Sequence, residues 1–408
     1  MGVGMLVLVW VARYLGPEQF GLLNFALAFT GLFGAIATLG LQGIVVRDIV
    51  RHPEEARLTL GTAAMLQLVA GFLSFLLILG AIAYLRPDDA LARTIVTILG
   101  AMMLLKASEI AVYWFESQVQ SKYTVWVQNG VFLVFAAVKV GLIVHEAPLT
   151  SFVWAMLVEA VAVAFFLLLV MSKRGNSLMK LRFNRVRGTS LLRDSWPLIL
   201  SGIAITIYMK IDQIMLGQMI DDEAVGIYSA ATRISEIWYF IPGAIVASTF
   251  PTILEAKKIN KTLYEKKIIS LLRLLIILAI VISVVFSIAS NKIVELLFGD
   301  GYLESANILI IHIWTGVFVS IGLVAGNWFL AEGRQLHILQ ITILAAIMNT
   351  ILNAFLIPSF GVIGAAFSTL FSYGVSNLVW PVMFKQTRPF IKLLIQSTGF
   401  KRMQKYEK

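Results

Sequence analysis

The chain has 408 residues, of which 59 % are hydrophobic and 14 % charged, with a mean hydropathy of +0.86. Soluble domains are about half apolar and about a quarter charged, so this is a polytopic membrane protein. The lack of cysteine excludes disulfides, thiol catalysis and thiolate-held metals. The net charge of +10 is clustered between apolar segments and reads as cytoplasmic loop charge rather than a nucleic-acid surface.

Twelve spans follow in chain order. Residues 1–14 are apolar but fall short of the about 20 residues a crossing needs. They carry no basic leader and no small-residue cleavage site, so they do not read as a signal peptide. They are expected to be the second half of a first helix whose beginning is missing. After the turn Leu15-Gly16-Pro17-Glu18 come spans at 19–46, 58–85, 93–115, 123–144 and 150–172. A basic stretch at 173–193 follows, with seven Lys and Arg and no acid. The second set lies at 195–220, 224–254, 268–290, 303–331, 338–357 and 362–384, ahead of a basic tail. The organisation is therefore an N-terminal six-helix lobe (1–172), a basic cytoplasmic linker (173–194), a C-terminal six-helix lobe (195–384) and a basic cytoplasmic tail (385–408).

Alternate loops hold 25 and three Lys and Arg respectively, which assigns the basic loops and the C-terminus to the cytoplasm. The two sets also repeat. Glu18-Gln19-Phe20-Gly21 through Ala26 matches Glu223-Ala224-Val225-Gly226 through Ala231, as Glu-x-φ-Gly-φ-x-x-x-Ala at an offset of 205. Six spans per half makes these parallel repeats, and such duplications place the substrate site between the halves.

No Gly-x-x-x-x-Gly-Lys loop is present, and the four histidines, His52, His145, His312 and His337, lack metal-ligand spacing. The chemistry left is charge inside the spans, where each ionisable group costs about 2.5–3.5 kcal/mol on insertion scales. The cations are Arg13, Lys106, Lys139, Lys210 and Arg233; the anions are Glu109, Glu159, Asp212 and Glu236. Lys106 with Glu109 and Arg233 with Glu236 have i, i+3 spacing, which brings side chains together on one helix face and allows mutual neutralisation. Arg13 and Lys139 lie near an outer turn, within reach of snorkelling. Lys210, Asp212 and Arg233 lie deeper. The five cations are the candidate substrate-binding set. Asp212 and Glu159, each about nine residues in from the outer end of a span, are the candidate ion-coupling carboxylates. Pro197, Pro242 and Pro251 are expected to bend the seventh and eighth spans.

Several stretches resemble the polysaccharide-exporter flippases, the O-antigen repeat-unit translocases. They are Val11-Ala12-Arg13-Tyr14-Leu15-Gly16-Pro17-Glu18-Gln19-Phe20-Gly21, Tyr208-Met209-Lys210-Ile211-Asp212-Gln213, Val225-Gly226-Ile227-Tyr228-Ser229-Ala230-Ala231, Phe298-Gly299-Asp300-Gly301-Tyr302 and Phe360-Gly361-Val362-Ile363-Gly364-Ala365-Ala366. The resemblance implies the multidrug/oligosaccharidyl-lipid/polysaccharide exporter fold, two six-helix lobes around a central cavity. It implies an undecaprenyl-diphosphate-linked oligosaccharide as substrate, membrane lipids and polysaccharide polymerase machinery as partners, no cofactor, and a bacterial or archaeal cytoplasmic membrane. A multidrug or toxin extruder of the same fold would expel cations and need an acidic cavity. A membrane glycosyltransferase or O-antigen polymerase would need a larger outer loop than this sequence contains.

Overall fold

The structure is a computed structural model that describes residues 2–174 and 181–399. Residues 175–180 of the basic linker and 400–408 of the basic tail lie outside the described residues. All described secondary structure is helical. The contacts divide the chain into two compact units, Met1–Lys210 and Ile211–Lys408. The division falls inside the seventh span, between Lys210 and Ile211, so that Asp212 belongs to the second unit.

The first unit is built from α1 (Gly2–Leu32), α2 (Gly34–Thr38), α3 (Gln42–Arg51), α4 (Ala56–Leu85), α5 (Ala90–Gly100), α6 (Ile110–Ser117), α7 (Lys122–Val144), α8 (Leu149–Lys173) and the start of α9 (Arg185–Met219). Asp89 starts α5 by accepting from the Ala92 amide at 2.8 Å, which satisfies one of the free N–H groups of the first turn. Helices in lipid gain no hydrophobic energy by associating, so they pack where small residues let backbones approach. Gly71 of α4 does this: a side chain there would strike the Met103 carbonyl. Gly202 of α9 likewise lies against Ala35.

The second unit contains the rest of α9, then α10 (Asp222–Ile237), α11 (Phe240–Ile259), α12 (Lys261–Phe298), α13 (Ser305–His312), α14 (Thr315–Ala331), α15 (Gln335–Gly374), α16 (Trp380–Met383) and α17 (Arg388–Ser397). The acidic turn at 221–223 does local work, since Asp221 caps α10 through the Ala224 amide at 2.8 Å. The eighth span breaks between α10 and α11 at Trp238-Tyr239. Proline cannot donate to the carbonyl four residues earlier, and Pro242 therefore places the break at Trp238. Pro197 and Pro251 sit inside α9 and α11 without ending them. Val246, Ile268, Leu272, Val324 and Phe329 belong to one apolar core of this unit, which Phe390 of the amphipathic α17 joins.

By length and hydropathy, nine described helices could cross a membrane, or ten with the pair Gly2–Leu32 and Gly34–Arg51, bent by 41°, taken as one span. The sequence predicts twelve passes. The difference lies in α1 and α15, each interrupted by a glycine with positive φ, Gly16 (73°) and Gly361 (58°). In α15, Asn353 and Thr369 both bond to one carboxylate, that of Asp212. Sixteen residues of straight helix would separate them by about 24 Å, so the chain folds back at Gly361. Gly364 then lies against the Leu356 carbonyl, with no room for a side chain. In α1, a side chain at Gly4 would meet the Phe132 ring, and Leu27 and Gly31 line the same cavity as Phe132; a straight helix would separate positions 4 and 27 by about 35 Å. Counting these two reversals gives twelve passes among the described residues.

The repeated motif has a packing role. Phe20 through Ala26 and Ala224 through Thr232 are buried without interruption, each in the interior of its own unit.

Candidate functional sites in the two units

In the first unit the fourth span changes winding midway. Between α5 and α6, residues Ala101–Glu109 form a 3₁₀ helix nine residues long, well beyond the usual three or four. Three residues per turn stack positions i and i+3 directly above one another. Lys106 and Glu109 therefore point the same way and pair at 2.7 Å. Glu109 also accepts from the Tyr113 hydroxyl at 3.2 Å, and Gln67 of α4 donates to that hydroxyl at 2.8 Å.

The adjoining hairpin of α7 and α8 supplies a second pair. Lys139 bonds Glu159 at 2.7 Å, with the side chains only 18 % and 20 % exposed. Lys139 thus stays inside the bundle and does not reach for the interface. Both pairs line one cavity of about 730 Å³, together with Tyr113, Gln128, Phe132 and Met103. That volume suits a drug-sized or short oligomeric ligand.

The second unit holds a different site. Asp212 of α9 is 4 % exposed. Its carboxylate accepts from the Tyr228 hydroxyl at 2.7 Å, from the Thr369 hydroxyl and from the Asn353 amide. Asn349 donates to the Thr369 hydroxyl at 3.4 Å. No ion pair to Asp212 is found among the described residues. The carboxylate, carried by α9, is held by neutral donors from three other passes: α10 and the two arms of α15. The amide oxygen of Asn353 is buried there without a hydrogen-bond partner. Carboxylate, amide and hydroxyl oxygens are hard donors, suited to a proton or a small cation and not to a soft metal. Beside this site, His312 bonds Ser235 at 2.6 Å and meets the Tyr228 ring edge-on.

Of the predicted residues, the structure brings Lys106, Lys139 and Glu159 to one cavity and sets Asp212 in a separate unit. Arg13 is exposed and Lys210 half-buried, and neither lines the cavity. Arg233 is half-buried on α10, bonds neither Asp212 nor Glu236, and so does not form the expected i, i+3 pair among the described residues. Sequence reasoning missed Tyr228, Asn349, Asn353, Thr369 and Tyr113. One signal was available: Asn349 and Asn353 are i, i+4 polar residues in an apolar span, the pattern by which buried amides join membrane helices.

These features define an all-helical, polytopic membrane protein with a polar site inside each unit. The chain belongs to the polysaccharide biosynthesis protein family, which it matches over residues 1–257. Residues 197–355 also match the MatE family. A relative in Haloferax volcanii, the probable low-salt glycan biosynthesis flippase Agl15, is 26 % identical over 395 residues, covering 93 % of this chain and 79 % of the relative. Among solved structures, an inward-facing multidrug resistance MATE family transporter of the MOP superfamily superposes with a TM-score of 0.77. It shares 16 % identity, over 97 % of this chain and 95 % of the other. The lipid II flippase MurJ in an inward closed conformation gives a TM-score of 0.76 at 15 % identity, over 97 % and 88 %. At these identities the two structures establish the fold that the chain shares with them.

Proposed function

We propose that this protein is a lipid-linked oligosaccharide flippase of the cytoplasmic membrane. It moves undecaprenyl-diphosphate-linked repeat units, of the O-antigen type, from the inner to the outer leaflet by alternating access and performs no chemical step. One observation carries the reading: a chain of the polysaccharide biosynthesis family keeps a cavity lined by two ion pairs inside its membrane-crossing helices. Ionisable groups in hydrocarbon are costly and mark substrate or ion pathways. A large hydrophilic head group needs such a lining, whereas its lipid tail can stay in the bilayer. The names of the Haloferax relative and of the lipid II flippase support the same reading. Lys106 and Lys139 of the cavity, and Arg13, Lys210 and Arg233 outside it, are the proposed substrate-binding cations. Asp212 is the foremost coupling carboxylate, with Glu159 as the second candidate. The basic loops and the tail face the cytoplasm, and delivered units pass to polysaccharide polymerase machinery outside.

Mass spectrometry of lipids from a deletion strain tests this. Undecaprenyl-diphosphate oligosaccharide should accumulate inside the cell, and plasmid-borne protein should clear it. Accumulation of single unpolymerised units at the surface would point to a polymerase instead. The match to the MatE family favours one other reading, a drug extruder; a strain with normal lipid pools but raised sensitivity to cationic drugs would establish it.

A further inference from the structure

The cavity of the first unit differs chemically from a phosphate site. Its charged groups come in two matched pairs, Lys106 with Glu109 and Lys139 with Glu159, each at 2.7 Å. A diphosphate drawn to either lysine would have to displace a carboxylate and leave it uncompensated in a largely buried place. Removing one partner of a pair held inside the bundle leaves the other charge uncompensated, which is strongly unfavourable. An uncharged polyol meets no such obstacle. Each hydroxyl both donates and accepts, so it can give a hydrogen to Glu109 or Glu159 and take one from Lys106 or Lys139 while the pair stays neutral. Tyr113 and Gln128 add neutral partners along the same wall.

The winding of the wall fits this use. On the 3₁₀ stretch the row Met103, Lys106, Glu109 is eclipsed. One apolar and two polar side chains therefore stand in one line, so a sugar ring can lay C–H surface on Met103 and hydroxyls on Lys106 and Glu109. Gly71, packed on the Met103 carbonyl, fixes that stretch against α4.

We infer that this cavity is the subsite for the neutral oligosaccharide of the substrate, separate from the groups that hold its diphosphate. The inference rests on the flippase reading and deepens it by dividing the head group between two places.

Native mass spectrometry of the purified full chain can test it with two probes. One is undecaprenyl diphosphate; the other is the undecaprenyl-diphosphate-linked oligosaccharide extracted from the source cells. The wild type should bind the sugar-bearing lipid at least about tenfold more tightly, a difference of about 1.4 kcal/mol. Lys139→Met combined with Glu159→Met should erase that preference and leave affinity for the bare lipid unchanged. The charge-reversed pair, Lys139→Glu with Glu159→Lys, should keep it and shows that the pair, not the fold, is being read. A fall in bare-lipid affinity in the Met variant would make the cavity a diphosphate site and overturn the inference. An unchanged sugar preference in that variant would overturn it too, with the flippase reading intact. Failure of the wild type to bind either lipid would sink the flippase reading and this inference together.

Discussion

The two polar sites solve the same problem in opposite ways. The cavity of the first unit holds four charges as two ion pairs, open enough that the side chains keep about a fifth to a third of their exposure. The second unit holds one carboxylate, Asp212, closed from solvent and bonded by a phenol, a hydroxyl and an amide. Charges that are already paired have little left to give to another ion, but keep hydrogen-bonding capacity for a neutral ligand. A carboxylate held only by neutral donors retains its charge for whatever cation or proton reaches it. The first arrangement suits recognition and the second suits coupling.

The largest effect should come from breaking the second site. Asp212→Asn keeps the shape and loses the charge. In reconstituted vesicles it should cut gradient-driven flipping at least about tenfold while downhill flipping persists. Full response to the gradient would remove Asp212 from the coupling role and make Glu159 the next residue to examine.

Half-removal of a pair sharpens the contrast. Glu159→Gln strands Lys139 in the bundle and should destabilise the protein by about 3 kcal/mol, whereas Lys139→Met with Glu159→Met should cost much less. Thermal melting in detergent compares them. Equal losses in the two variants would mean that the pair is solvated and adds nothing to stability.

The backbone around each site is the next lever. Gly364→Ala, opposite the Leu356 carbonyl, and Gly71→Ala, opposite that of Met103, both overpack a backbone contact. Each should lose about 1–3 kcal/mol. The first should also disturb the Asp212 site and the second the cavity, so transport and sugar binding should fail separately. A Gly364→Ala protein with wild-type coupling would show that the reversal at Gly361 need not be tight.

A loop-end pair gives a smaller, pH-dependent effect. Burial pushes the Glu332 carboxyl up, but hydrogen bonds from Lys257 and Tyr264 and the Lys257 charge outweigh it and hold it below its ordinary value. The stabilisation is therefore complete above the unfolded value of about 4.3 and fades as pH falls through the lower folded one. Lys257→Met should melt earlier than the wild type at neutral pH, with the gap closing in acid. A gap that widens in acid would contradict this sign.

The smallest perturbation reads topology alone. Arg185→Cys should leave flipping unchanged and resist membrane-impermeant thiol reagents in intact cells. Ready labelling would invert the orientation.

Much of the fold was legible in the sequence because hydropathy and turn chemistry are local. The spans, the turns at Gly16 and at 221–223, and the charges lodged between apolar neighbours can all be read within a window of about 20 residues. Even the Lys106–Glu109 pair follows from spacing. Arg233 and Glu236 have the same spacing on an α-helix, and no ion pair between those two is found among the described residues, whereas residues 101–109 are wound as a 3₁₀ helix that eclipses i and i+3. That winding accompanies the packing of the span on Gly71, which lies some thirty residues earlier in the sequence. The remaining contacts join distant positions: Lys139 with Glu159 across a hairpin, and Asp212 with Asn353 and Thr369 across 141 and 157 residues. Sequence alone determined which charges lie within the spans and that those in hydrocarbon need partners, because hydrocarbon supplies none. Tertiary structure decided which partners they take, because that depends on how helices are apposed, and no local pattern encodes it.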